Sequence, residues 1–110
     1  MTRLDTPLTL RRGRPFAHRL TLAPLTNFQS HEDGTLSDDE YAWLTSRARA
    51  GFSMTMTCAA YVSAEGKGFS GQLGISSDAH LAGLRRLAAG LRETGTVSSV
   101  QLQHSGMRAN

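Results

Sequence analysis

Residues 51–60 read Gly-Phe-Ser-Met-Thr-Met-Thr-Cys-Ala-Ala, and this stretch decides the fold. Met54, Met56 and Cys58 alternate with Thr55 and Thr57. A two-residue period belongs to a strand, whose successive side chains point to opposite faces. Upstream, Ser37-Asp38-Asp39-Glu40 has the form of a capping box, in which the serine hydroxyl and the glutamate carboxylate satisfy backbone donors at a helix start. The helix it opens carries Tyr41, Leu44 and Ala48 on one face. It should stop near Gly51, a residue suited to the position just past a helix end.

Working outward, a glycine-rich loop follows the strand, and Ser77-Asp78 then opens a second helix. Leu81, Leu84, Ala88 and Leu91 fall at helical spacing, Gly83 and Gly90 weaken the helix, and Gly95 ends it. Val97 to Leu102 reads as a third strand. Before residue 37, the apolar stretch Arg19 to Leu25 reads as a first strand that turns at Pro24, followed by the polar loop NFQSHEDGT. The order strand, helix, strand, helix, strand, with no repeat and no low-complexity linker, implies an α/β fold with a parallel sheet. A doubly wound sheet and a (β/α)8 barrel both begin this way. A barrel needs about 250 residues, so a chain of 110 would hold about three of its βα units. Asn110 falls just after the third strand, where a helix should come, and the chain is read as a fragment.

Composition narrows the partners. Twelve Lys and Arg against nine Asp and Glu give a net charge of +3, and only Arg11, Arg12 and Arg14 stand close together. Nucleic-acid binding calls for a denser basic stripe. The N-terminus lacks the apolar core of a signal peptide, and no run of about 18 apolar residues suits a membrane span. Cys58 is the single cysteine, which excludes an internal disulfide and a cysteine metal cluster. A reducing, cytoplasmic setting fits.

Gly66-Lys67-Gly68-Phe69-Ser70-Gly71 matches G-x-G-x-x-G, the dinucleotide fingerprint. There the glycines lie between a strand and the helix whose N-terminus holds a pyrophosphate. Here the strand ends near Ala59, and Gln72-Leu73-Gly74-Ile75 does not start a helix, so the match is set aside. His18, His31, His80 and His104 have no i, i+4 pairing for a metal. His80 reads as a surface residue of a first helical turn and His31 as a solvated loop residue. His104 directly follows the third strand, where barrel residues enter the site. Cys58 reads as a small core residue.

Three segments close the three strands: Leu22-Ala23-Pro24-Leu25-Thr26-Asn27, Thr57-Cys58-Ala59-Ala60, and Val100-Gln101-Leu102-Gln103-His104-Ser105-Gly106. With Gly74-Ile75-Ser76-Ser77-Asp78 after the second, and His18-Arg19 before the first, they resemble the Old Yellow Enzyme family of flavin ene-reductases from about Leu8 to Ala109. The resemblance implies a (β/α)8 barrel holding FMN, closed at its bottom by a hairpin from Leu8 to Arg19. It implies reduction of a small-molecule activated alkene at the expense of NADH or NADPH, and it allows a homo-oligomer for the full-length protein. By resemblance, the backbone around Ala23, Pro24 and Leu25 packs against the isoalloxazine. Thr26 bonds near flavin O4 and N5, Ala59 lies against the pyrimidine side, and Gln101 bonds O2 and N3. Hydroxyl and amide donors there favour the reduced flavin, and small residues let a flat ring approach the backbone. Gln101 is in phase with Val97 and Ser99, so a small, polar side of the third strand can face the barrel interior.

Two departures accompany the resemblance. Met107 stands where relatives commonly have arginine, with Arg108 next, and Phe28 stands where some have tyrosine, so a substrate contact there would lack a hydroxyl. The substrate-binding pair, proton donor and phosphate loops of the family fall later than Asn110. A barrel cut here would expose its third strand and helix undersides, so the isolated chain is expected to bind FMN weakly or not at all. Two alternatives stand beside this reading: a flavoprotein resembling tRNA-dihydrouridine synthases, and a truncated, non-enzymatic fragment.

Overall fold

The computed structural model describes residues 3–109. Three strands and two helices alternate along the chain: β1 Thr21–Leu22, α1 Asp38–Arg49, β2 Met54–Tyr61, α2 Leu81–Glu93 and β3 Val97–Gln103. The strands form one parallel sheet in the order β1-β2-β3, so all three C-terminal ends lie on the same edge. This is the α/β arrangement expected from the alternation.

β1 is only two residues long, although the apolar pattern spans seven. Pro24 has no N–H to give the ladder, and the backbone beyond Leu22 leaves the sheet. The expected hairpin is a single antiparallel bridge, Leu8 with Phe16. It is tied down by the Arg19 guanidinium, which donates to the Thr6 hydroxyl and the Pro7 carbonyl.

α1 starts as expected, with the Ser37 hydroxyl accepting the Glu40 N–H at 3.0 Å. The other half of the capping box is not made. The Glu40 side chain is fully buried and accepts from the Ser30 hydroxyl and, at 3.2 Å, from the Cys58 thiol. Two inward donors hold the carboxylate that the pattern assigns to the helix end. α1 ends at Arg49 with Gly51 at φ 117°, the backbone region that favours glycine.

The core between helices and sheet is Leu22, Leu44, Ala48, Leu87 and Leu91. Burying each leucine contributes about 1.5–3 kcal/mol. α2 is preceded by a tight turn at Asp78–His80 and begins at Leu81. Leu81 is exposed and Leu87 lies in the core. Gly90 and Gly83, weak helix formers by propensity, seat neighbours of α2. A methyl group at Gly90 would stand 2.4 Å from the Tyr41 hydroxyl, and one at Gly83 would stand 2.9 Å from Leu36 Cβ. The Arg86 guanidinium stacks over Tyr41 at 4.0 Å and pairs with Asp38 at 2.6 Å, joining the two helices.

β2 alternates in burial, with Thr55, Thr57, Cys58 and Ala60 buried and Met54, Met56 and Ala59 half-buried. Thr55 is fully buried, and its hydroxyl lies 3.0 Å from that of Thr96, which donates to the Phe52 carbonyl. On the β2–β3 side, Met56 pairs with Ser99 and Ala59 with Gln101, three steps on β2 against two on β3. One extra residue is therefore accommodated in β2 as a bulge. β3 is an edge strand with Val100 and Leu102 exposed.

Candidate functional site

The shared C-terminal edge of the sheet gathers the segments singled out in the sequence. Ala23, Leu25 and Thr26 are exposed where the chain leaves β1, with Pro24 half-buried between them. Ala59, half-buried, and Gln101, exposed, are direct partners across β2 and β3 immediately after the bulge. Among the described residues, neither the Thr26 hydroxyl nor the Gln101 amide makes a hydrogen bond within the chain. Cys58 and Ala60 pack with Leu84 of α2, so alternation turns Ala59, and with it its partner Gln101, to the opposite, helix-free face. The edge thus offers small residues, apolar backbone and two free polar side chains on one side.

Two loops wall this edge. The loop after β1 and the loop after β2 are joined by backbone bonds from Ser30 N–H to Gly71 O at 3.1 Å and from Gly74 N–H to Gly34 O at 2.9 Å. Lys67 pairs with Glu32 at 3.0 Å, and Ser70 donates to the same carboxylate. The Ser70 hydroxyl first, and Lys67 second, hold the exposed Glu32 carboxyl below its ordinary range. Phe28, exposed and at φ 54°, meets Phe69 edge-on with ring centres 5.1 Å apart. Positive φ in a non-glycine residue is uncommon and aims this ring out of the loop.

The glycine run does not cradle a phosphate. Gly66 lies under the His104 ring, where an added methyl group would come within 2.5 Å of the imidazole. Gly68 faces the Ser105 hydroxyl and Gly71 the Phe28 carbonyl in the same way. Gly66 and Gly68 let the loop pack against the end of β3, and Gly71 lets it pack against the loop after β1. His104, expected at a site-facing strand end, is exposed and accepts the Gly106 N–H on Nδ1 at 2.9 Å.

His80 is not a surface residue. It is 5% exposed, its Nδ1 accepts the Ser76 N–H at 3.1 Å, and its Nε2 lies 2.8 Å from the Asp33 carbonyl. These bonds assign the ring proton to Nε2. The Tyr61 hydroxyl donates to the same carbonyl at 3.1 Å, and burial pushes its phenol above the ordinary range. The pair fastens the loop after β1 to the end of β2. Cys58 is buried as expected, and burial, then the neighbouring Glu40, push its thiol up to about 12. His31 is exposed.

Gln72 escaped the sequence reading. It is fully buried, donates to the Ala59 carbonyl at 3.2 Å and to Gln103 Oε1 at 2.8 Å, and accepts the Gly68 N–H at 2.8 Å. Its only signal in the sequence is a polar residue inside the otherwise small and apolar run Gly71 to Ile75. No helix among the described residues is long and apolar enough to cross a membrane.

The chain is similar to the probable NADH-dependent flavin oxidoreductase YqiG of Bacillus subtilis, at 35% identity over 101 residues, covering 92% of this chain and 27% of that protein. It therefore spans about a quarter of that relative's length. Among solved structures, a 2-naphthoyl-CoA reductase complex superposes with a TM-score of 0.92 at 28% identity, over 97% of this chain and 16% of that one. An old yellow enzyme homologue from Zymomonas mobilis shares the fold with a TM-score of 0.83 at 24% identity, over 92% of this chain and 28% of that one. The family model for the NADH:flavin oxidoreductase / NADH oxidase family matches residues 3–110, and the chain belongs to that family of oxidoreductases, which work with FMN and a nicotinamide hydride donor.

Proposed function

We propose that residues 1–110 supply the first three βα units of an eight-stranded barrel whose FMN rests on the sheet edge described above, and that the activity is reduction of electron-poor C=C bonds. The observation that carries this reading is the pairing of small Ala59 with exposed Gln101 at the helix-free side of the sheet edge. FMN, when bound, would supply hydride-transfer chemistry between NAD(P)H and the alkene, whose reduction also takes up a proton.

The residues present suit that group. The exposed backbone from Ala23 to Leu25 and the small Ala59 side chain leave room for a flat ring to lie close to the main chain. The unpaired Thr26 hydroxyl and Gln101 amide are donors for its polar edge. Fixed donors of this kind stabilise negative charge arriving on the ring, because they are oriented before the charge appears. Phe28 and Phe69 form an apolar wall beside this edge, a surface that excludes water from a reacting centre and suits an apolar substrate body.

The test uses the protein expressed from its full reading frame through to the natural stop codon. Its visible spectrum is recorded, NAD(P)H is titrated anaerobically, and cyclohexenone is added. A yellow protein that bleaches with NAD(P)H and recovers with the enone supports the reading. A colourless protein that takes up no added FMN refutes it, and bleaching without recovery by the enone refutes the alkene substrate alone.

A further inference from the structure

We propose that Gln72 and Thr57 are positioning residues for the flavin site, holding the β2–β3 ladder open where Ala59 and Gln101 lie; the inference rests on the flavin reading above. In a regular parallel pair, backbone N–H and C=O groups of the two strands bond evenly along the ladder. At the bulge two side chains take over that role. The Gln101 N–H points to the Thr57 hydroxyl at 3.4 Å, and the Ala59 carbonyl accepts from the Gln72 amide at 3.2 Å. Thr57 donates its own proton to the Cys58 carbonyl at 2.8 Å, which leaves an oxygen lone pair for Gln101.

Gln72 does more than fill one bond. Its second amide proton goes to Gln103 Oε1 and its oxygen accepts the Gly68 N–H. Gln103 in turn donates to the Ser105 hydroxyl at 2.7 Å. A single buried amide with every group used therefore ties the end of β2, the end of β3 and the intervening loop together. Such networks are rigid, because breaking one bond leaves buried polar groups unpaired.

The consequence for the site follows from strand geometry. The bulge places one more residue on β2 than on β3 between the pairs Met56–Ser99 and Ala59–Gln101. A ladder that closed without it would slip by one residue, and a one-residue slip turns a side chain to the other face of the sheet. Ala59 would then face a different partner, and the Gln101 amide would lose its fixed aim. Neither Thr57 nor Gln72 needs to touch the cofactor; both act through the backbone of the two residues that do.

The test compares wild type, Thr57→Val, Thr57→Ser and Gln72→Leu in the protein from its full reading frame. The readouts are FMN dissociation by fluorescence titration, the visible bands of the bound flavin, and melting temperature. Thr57→Val and Gln72→Leu should each weaken FMN binding about tenfold, the scale of one lost hydrogen bond, and displace the visible bands. Thr57→Ser, which keeps the hydroxyl, should behave as wild type. Folded Thr57→Val and Gln72→Leu proteins with wild-type affinity and spectrum overturn the proposal. If Gln72→Leu does not fold, wild-type affinity in Thr57→Val alone overturns it. A wild type that takes up no FMN instead overturns the flavin reading on which the proposal rests.

Discussion

The Glu40 carboxylate and the Cys58 thiol, eighteen residues apart, meet at 3.2 Å in the interior between α1 and β2. Ser30 donates to the other carboxylate oxygen, so one buried side chain joins the loop after β1, the first turn of α1 and the middle of β2. Glu40→Ala would leave both donors unpaired and open a cavity. We expect it to destabilise the protein by about 3 kcal/mol, with Glu40→Gln costing about 1 kcal/mol because one acceptor oxygen survives. Urea unfolding of both variants checks this; an alanine variant as stable as wild type would contradict the contact.

Burial of Cys58, with Glu40 beside it, sets an alkaline limit. The Cys58 thiol has an ordinary value of 9.0 and is pushed up to about 12 in the folded protein. Between these values the unfolded chain has lost a proton that the folded chain keeps. Stability therefore falls as pH rises above 9 and is fully present below it. Cys58→Ala should flatten this slope. Iodoacetamide at pH 8 should leave the native thiol unmodified and alkylate it only after unfolding. Rapid labelling of the native protein would show the thiol to be accessible.

Gly34 tests the clasp made by Tyr61 and His80 on the Asp33 carbonyl. Its φ is 82°, and an added methyl group would stand 2.1 Å from the Tyr61 hydroxyl and 2.9 Å from His80 Nε2. Gly34→Ala should cost about 2 kcal/mol or more, combining backbone strain with a displaced hydrogen bond. Hydrogen exchange of the loop amides should rise before that of α1. Uniform exchange across loop and helix would mean that the clasp does not govern the loop.

Much of the fold is readable from residue pattern, and its failures have definite causes. The alternation around Thr55 and Thr57 marks β2, and Ser37 with Gly51 brackets α1 correctly, because these signals are local. Glu40 fits a capping box equally well whether it turns out or in, and only Ser30 and Cys58 decide. His80 resembles a solvated first-turn residue because its partner, the Asp33 carbonyl, lies 47 positions away. Leu81 stays out of the core because it is the first residue of α2, while Leu87, three residues after Leu84 and four before Leu91, lies on the face the spacing marks. The candidate site residues could be picked out from strand-end segments. The bulge that pairs Ala59 with Gln101, and the Gln72 amide that supports it, depend on contacts across the sheet.

The most direct test of the central claim is FMN titration of Ala59→Leu beside wild type, in the protein from its full reading frame. Ala59 is half-buried on the edge where the ring would lie, so a leucine there occupies the ring's space while leaving the core untouched. The account predicts a normally folded variant whose FMN affinity falls by a factor of ten or more, that is about 1.4 kcal/mol of binding or above. A folded Ala59→Leu protein that binds FMN as tightly as wild type would contradict it.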